Sequence, residues 1–343
     1  MTLYAPLMKF QRTRLGVIAV SAALVVAGLV GCSSESSDDA ASSSGDDSAF
    51  PVSLQTRLGE VQIEKKPTRV VTLGVPDLDV SRALGVTPVG AVQVSSWPWE
   101  KPLGSVEKID YSPQGVNVEQ VLALRPDVIL ATGLGGVDAQ YDELKKIAPV
   151  VSDIDGVLTT DWRDTTKEIG QALGLASEAD KLVGETEKAI TDTAEQFPNI
   201  KGKTYATGAV YAPGVVSAES TSQTPMGRLF TQLGLKLDGK LDKTELDDSS
   251  DSSKVGAGTT EVSMEKLVDT IGAAQFLTLG FAEGTEQSIT GSPLFQQLAA
   301  VKSGAYFGTD SLTYTALAFP TVTSIPFGLD SLKPALTKLN DGQ

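Results

Sequence analysis

The chain has 343 residues, with 28 Lys and Arg against 43 Asp and Glu, a formal net charge of −15, no histidine and one cysteine. Such a charge disfavours nucleic acid and anionic lipid headgroups as partners, and a lone cysteine excludes an internal disulfide. Without histidine or a second cysteine, the familiar triads, thiol mechanisms and imidazole metal sites are unavailable, so we predict neither an enzyme nor a resident metal or cofactor.

An export leader is predicted at the beginning of the chain. Three basic residues precede a stretch without charge, Leu15 to Val30, that ends in small residues at Cys32. This layout is typical of a signal peptide, and the run falls short of the roughly 20 apolar residues of a membrane-spanning helix. We therefore expect residues 1–31 to be removed, with translation starting at Met1 or Met8.

A lipid anchor is predicted at Cys32. The segment Leu29–Cys32 matches the bacterial lipobox, in which the cysteine sulfur receives a diacylglyceryl group; the alternative is a buried cysteine in an uncleaved helix. Two or three acyl chains anchor a protein stably. Residues 32–49 are rich in Ser, Asp, Ala and Gly, which predicts a disordered tether. The folded part would then lie on the outer face of the cell membrane.

Residues 50–176 are predicted to form a first α/β lobe. Strand-like apolar runs at Arg69–Leu73 and Asp127–Ala131 alternate with helical stretches. Such alternation indicates a mainly parallel sheet with helices on both faces.

Three residues of this lobe are candidates for ligand contact. Trp97 and Trp99 follow the short strand Val89–Val92, and their rings suit either a large flat ligand or packing between lobes. Arg163 follows a predicted helix cap at Asp161, where its guanidinium is able to bind an anionic ligand or to pair with a surface acid. Both alternatives stay open for each residue.

A long helix is predicted between the lobes, over residues 177–198. Apolar and small residues recur there at steps of three and four. Ser177 and Asp180 are predicted to cap the helix, and Pro198 to end it. A helix of about 21 residues spans roughly 31 Å, so we expect a stiff strut that restrains movement between the lobes.

Residues 199–343 are predicted to form a second lobe of related design, with strands at Lys203–Ala206 and Ala274–Leu279. Its candidates for ligand contact lie at a predicted strand end, in the loop before Pro320, or in the helix that Thr224 opens; they are Tyr211, Arg228, Phe281 and Tyr314. For Phe281 and Tyr314, the alternative is that the side chain only packs within the protein. Together with Arg163, Arg228 is hypothesised to contact an anionic chelate.

Four segments carry a resemblance to a known family. In order, they are Arg69–Gly74, Ala83–Gly90, Asn117–Asp127 and Ile325–Asp330. With them, residues 50–339 resemble the ferric-siderophore and cobalamin group of ABC-importer substrate-binding lipoproteins. The resemblance implies two α/β lobes, each a mainly parallel sheet flanked by helices, joined by one long rigid helix.

The resemblance also implies a function. The protein would capture a ferric siderophore in a cleft between the lobes and deliver it to a membrane permease, with cobalamin or another large ligand as the alternative. Since the chain lacks histidine, iron is expected to arrive inside a chelator. An alternative from another class is a surface interaction protein without a small ligand.

Two glutamates are predicted to dock the protein on its importer. Glu119 and Glu265 each lie two residues after a predicted helix cap, Asn117 and Ser263. In the family that the chain resembles, corresponding glutamates meet arginines of the permease. The structural alternative is that each carboxylate only favours the positive end of its helix.

Overall fold

Helices and strands alternate along the parts of the chain that the structure, a computed structural model, describes: residues 49–92, 97–99, 105–112, 114–156, 159–242 and 258–342. The predicted leader, Cys32 and nearly all of the tether lie outside the described residues. The helices are α1 (Val75–Ala83), α2 (Val118–Ala123), α3 (Tyr141–Leu144), α4 (Trp162–Ala172), α5 (Ala176–Gln196), α6 (Pro225–Gln232), α7 (Leu267–Ile271), α8 (Glu286–Thr290), α9 (Ala299–Ser303), α10 (Ser311–Ala318) and α11 (Ser324–Asp341). The strands are β1 (Val52–Thr56), β2 (Gly59–Ile63), β3 (Val70–Thr72), β4 (Gly90–Ala91), β5 (Glu107–Lys108), β6 (Tyr111–Ser112), β7 (Gly115–Val116), β8 (Val128–Ala131), β9 (Val150–Ser152), β10 (Thr204–Ala212), β11 (Val215–Glu219), β12 (Lys236–Leu237), β13 (Thr259–Ser263), β14 (Phe276–Phe281) and β15 (Tyr306–Asp310).

The first lobe is built on a parallel sheet of strand order β5-β4-β3-β8-β9. Every residue of β3, β8 and β9 is buried, because helices cover both faces of the sheet. The register places Val71 opposite Ile129. The strands predicted at Arg69–Leu73 and Asp127–Ala131 are therefore confirmed as β3 and β8.

The second lobe contains a mixed sheet of order β13-β11-β10-β14-β15, with β12 also paired to β10. Strands β12, β14 and β15 run parallel to β10, whereas β11 and β13 complete an antiparallel edge. Both predicted strands are confirmed and extend further than expected, so Tyr211 and Phe281 belong to β10 and β14.

The placement of Tyr314 in a loop before Pro320 was wrong. This residue lies in α10, which begins where the side chain of Asp310 accepts a hydrogen bond from the backbone N–H of Thr313. Ala316 and Leu317 of the same helix are buried. The apolar and Thr residues of this run follow no clear helical period, but the Asp310 cap and burial against the sheet stabilise the helix.

Helix α5 contacts both lobes: it packs against α4 of the first lobe and against α6 and α11 of the second. Its buried residues follow the predicted helical period. The predicted caps Ser177 and Asp180 were wrong: the helix starts at Ala176, and the preceding Leu175 is buried and makes no side-chain cap. The two helices α4 and α5 pack closely, because a Cβ on Gly170 would lie 2.3 Å from the Cβ of Ala179. Pro198 follows the end of the helix, as predicted.

One large apolar cluster runs through both lobes and α5. Its members include Leu130 of the first lobe, Val183 of α5, and Phe230 and Leu279 of the second lobe. A smaller cluster covers the other face of the first sheet. The division at residues 50–176, 177–198 and 199–343 remains an interpretation of where each lobe ends. Among the described residues, no helix combines the length and apolarity needed to cross a bilayer.

Candidate functional site

A cleft lies between the two lobes and holds about 480 Å³, part of it open to solvent. The first lobe contributes the beginning of α1, the residues after β8 and β9, and the beginning of α4. The second lobe contributes the beginning of α6 and the segment after α10. The lining residues in the described part of the chain are Pro76, Val80, Gly133, Asp153, Thr160, Trp162, Thr165, Thr166, Pro225, Phe319, Pro320 and Thr321.

Asp77 fixes the first-lobe wall of this cleft. Its buried carboxylate accepts hydrogen bonds from the backbone N–H groups of Gly74 (2.7 Å) and Thr132 (3.0 Å) and from the Thr132 hydroxyl. Only glycine fits at position 74, since a Cβ would lie 1.7 Å from the Thr132 carbonyl oxygen. Burial raises the pKa of Asp77 to about 7, although these hydrogen bonds oppose the shift.

Asp153 follows β9 and lines the cleft with only 2% of its surface exposed. One carboxylate oxygen, Oδ1, accepts a hydrogen bond from the backbone N–H of Gly133 at 2.9 Å. The other, Oδ2, is buried and has no hydrogen-bond partner among the described residues. Burial raises the pKa of this carboxyl, while the charge of Arg57 acts in the opposite direction.

Glu168 lies behind the cleft wall, on the buried face of α4. It is 4% exposed, and neither carboxyl oxygen has a hydrogen-bond partner in the described part of the chain. Burial raises the pKa of Glu168 to about 8, with smaller contributions from the charges of Asp153, Asp77 and Asp164. An acid in this environment holds its proton near neutral pH.

Trp162 and Arg163 begin α4, where the side chain of Asp161 caps the helix as predicted. The Trp162 ring lines the cleft, and the Arg163 guanidinium lies over it at 4.4 Å from the ring centroid. Arg163 donates to Glu187 at 2.6 Å, to Asp161 at 3.1 Å and to Gln232 at 3.0 Å. Its pairing with surface acids, one of the two predicted alternatives, is therefore observed.

Arg228 joins the two lobes. Its Nη1 donates a hydrogen bond to the backbone carbonyl of Thr159 at 2.8 Å. The predicted cap of its helix is confirmed, since the Thr224 hydroxyl accepts from the backbone N–H of Gly227. An anion that binds Arg163 or Arg228 must compete with these protein partners. Binding of an anion to either arginine stays a prediction.

Trp97 and Trp99 stack on each other, with ring centroids 4.9 Å apart. Trp99 also packs against Phe327 of α11, with 5.4 Å between centroids. Its indole N–H donates to Oδ2 of buried Asp79, which accepts as well from the Thr321 and Thr323 hydroxyls. The packing alternative is observed for this pair, while its contact with a ligand stays a prediction.

The remaining second-lobe candidates occupy one end of the sheet. Tyr211 is 72% exposed, and Phe281 is buried at the end of β14. Tyr314 lies against Gly280, so closely that a Cβ there would be 2.2 Å from its Cγ. None of the seven predicted contact residues is among the described residues that line the cleft, and their role in binding stays a prediction.

Glu119 and Glu265 are both exposed near the start of short helical segments. Asn117 caps α2 as predicted, accepting from the backbone N–H of Gln120 at 3.2 Å. The cap predicted at Ser263 was wrong, because its side chain makes no such bond and a 3-10 turn of Met264–Lys266 follows. Exposure leaves both carboxylates accessible to a partner.

Comparison with known proteins confirms the predicted resemblance and the two-lobed α/β fold. A family model described as "Periplasmic binding protein" matches residues 70–312. The Fe(3+)-citrate-binding protein YfmC of Bacillus subtilis (strain 168) is 28% identical over 312 residues, covering 87% of this chain and 91% of that protein. The iron(3+)-hydroxamate-binding protein FhuD of the same organism is 26% identical over 328 residues, covering 93% and 97%. The crystal structure of PiaA from Streptococcus pneumoniae TIGR4 in complex with ferrichrome has a TM-score of 0.67 at 28% identity, covering 83% of this chain and 99% of that one.

Proposed function

The chain belongs to the periplasmic binding protein family, and on that premise we propose that it captures a ferric siderophore between its lobes and delivers it to the permease of an ABC importer. The observation that carries the proposal is the cleft where the carboxyl ends of β8 and β9 face the second lobe. Ligands of open α/β sheets bind at such strand ends.

The proposal includes a lipid anchor at Cys32 and a location on the outer face of the cell membrane. It is supported by the lipobox and by the leader that precedes it. Replacement Cys32→Ser is expected to release the protein from the membrane fraction, because the acyl chains supply the anchor. Retention of the variant in the membrane would contradict this part of the proposal.

Tryptophan emission of the purified protein tests ligand capture. Trp162 lines the cleft, whereas Trp99 packs on Phe327 and Asp79. We expect ferric complexes to quench the emission, and Trp162→Phe to lose more of the quench than the matched variant Trp99→Phe. Cobalamin, titrated in parallel, identifies the alternative ligand. If neither the ferric complexes nor cobalamin quenches the emission, capture of either ligand is refuted.

A thermal measurement separates ligand capture from a surface interaction protein. A ligand that binds only the folded state raises the melting temperature, by an amount that grows with its concentration above Kd. We therefore expect a ferric complex to raise the melting temperature of this protein. An unchanged melting temperature at saturating ligand would favour the interaction protein.

Docking on the permease is proposed for Glu119 and Glu265. Both are exposed, and each comes from a different lobe. The double replacement by Ala is expected to abolish uptake by cells carrying the importer while leaving the Kd for the ligand unchanged. The stability cost should stay near 0.3 to 1 kcal/mol per helix end. Normal uptake by the double variant would leave only the helix-end role.

A further inference from the structure

The charges around the cleft indicate which class of ferric complex fits it. Among the described residues that line the cleft, Asp153 is the charged one, and neither Lys nor Arg occurs. The lining residues of the second lobe are Pro225, Phe319, Pro320 and Thr321, all uncharged. The local field therefore has the same sign as the net charge of −15.

One carboxylate oxygen of Asp153 is an acceptor without a donor among the described residues. Its Oδ1 is held by the backbone N–H of Gly133, which fixes the carboxylate, and its Oδ2 is buried without a partner among the described residues. Buried polar atoms are rarely left unpaired, since the lost hydrogen bond is costly. A donor group on a ligand would satisfy this oxygen.

In the described part of the chain, the ionisable groups around Asp153 are mostly acids. Burial raises the pKa of Asp77 to about 7 and that of Glu168 to about 8, and the negative charge of Asp153 adds to both shifts. Arg57 is the cation that acts on Asp153, but its guanidinium is hydrogen-bonded to Asp138, with 2.7 Å from Nη1 to Oδ2.

Two arginines close to the cleft lining in sequence, Arg163 and Arg228, are turned to protein partners. Arg163 donates to Asp161, Glu187 and Gln232. Arg228 donates to the Thr159 carbonyl. An anionic chelate bound to either arginine would have to displace these bonds, and in the cleft it would lie beside Asp153.

We propose that the cleft selects neutral or positively charged ferric complexes over anionic ones, and that Asp153 accepts a hydrogen bond from a cationic amine or similar donor of the ligand. This inference rests on the proposed capture of a ferric siderophore and specifies the charge class of that ligand.

A matched set of ferric complexes tests the proposal on the full chain. A linear ferric trihydroxamate with a free terminal amine is compared with the same complex after acetylation of the amine, and with a trianionic ferric tris-catecholate. A charge contact close to a carboxylate is worth at least about 1 kcal/mol, so the amine complex should bind about fivefold to tenfold more tightly than its acetylated form. The tris-catecholate should bind most weakly of the three.

Replacing Asp153 locates the effect. Asp153→Asn keeps an Oδ1 acceptor for Gly133 and removes the charge, so it should abolish the preference for the free amine over the acetylated form. The matched control is Asp155→Asn, at an exposed acid two residues further, which should keep the preference.

The measured Kd values distinguish failure of the charge-class inference from failure of the proposed function. Equal Kd values for the amine and acetylated complexes, or tightest binding of the tris-catecholate, overturn the charge-class inference while ferric capture stands. Tightest binding of the tris-catecholate that is lost in Arg163→Ala and Arg228→Ala would instead support the arginine hypothesis. If no ferric complex binds, the proposed function itself fails, and this inference fails with it.

Discussion

Glu168→Gln is expected to change how the stability of the protein depends on pH. Glu168 is buried without a hydrogen-bond partner in the described structure, and its pKa is raised from 4.5 to about 8. In the unfolded chain the carboxyl loses its proton near its ordinary value, whereas the folded protein keeps it. The stability present below about pH 4.5 is therefore lost progressively as the pH rises to about 8.

The size of the effect follows from the pKa values. One pH unit corresponds to about 1.4 kcal/mol for one proton, so the shift from 4.5 to about 8 amounts to a few kcal/mol, on the order of 3 to 5. Gln cannot ionise, so the Glu168→Gln variant does not lose this stability as the pH rises. Its amide adds a pH-independent cost of its own for two buried donors, so the slope with pH is the quantity to compare.

Urea unfolding followed by tryptophan emission measures this slope. At one-unit intervals from about pH 5 to about pH 9, the free energy of unfolding of Glu168→Gln should rise relative to the parent protein by up to about 1.4 kcal/mol per unit, and level off above about pH 8. The control Glu195→Gln makes the same change at an exposed position of α5 and should show no comparable slope. A pH-independent difference between Glu168→Gln and the parent protein would refute the reasoning.

Further expectations concern packing and the contacts between lobes. Asp79→Ala removes the acceptor shared by Trp99 and two Thr hydroxyls, and should lower the free energy of unfolding by about 2 to 4 kcal/mol; a loss below 0.5 kcal/mol would show that these bonds add little. Gly280→Ala places a Cβ 2.2 Å from Cγ of Tyr314 and should cost about 1 to 3 kcal/mol in urea unfolding. Gly184→Ala is the matched control, because a Cβ there meets no atom within 4 Å, and it should stabilise α5 by about 0.5 to 1 kcal/mol.

Local patterns allowed much of the fold to be predicted. Runs of Val, Ile and Leu predicted β3 and β8, and three- and four-residue steps predicted α5, because burial on two faces or one stripe imposes these periods. Gly170 shows the limit of such patterns, since its close contact with Ala179 depends on how two helices pack.

The buried acids of the candidate site could not be predicted in this way. Asp77 lies in the first turn of α1 and Asp153 directly after a strand, positions where exposed capping acids are common. Glu168 alone carried a signal, since it occupies the same helix face as Thr165, Ile169 and Ala172. The contact of Asp79 with Thr321 spans 242 residues of sequence, and no local period reports such a contact.

The apolar cluster shared by both lobes has a consequence for how the chain folds. Leu130, Val183 and Phe230 belong to one continuous core, so separating the lobes would expose apolar surface on each of them and on α5. Neither half of the chain would then retain a complete interior, and the protein should melt in a single cooperative transition instead of two. A protease cut in a loop between the lobes should accordingly leave two fragments that stay associated until the whole molecule unfolds.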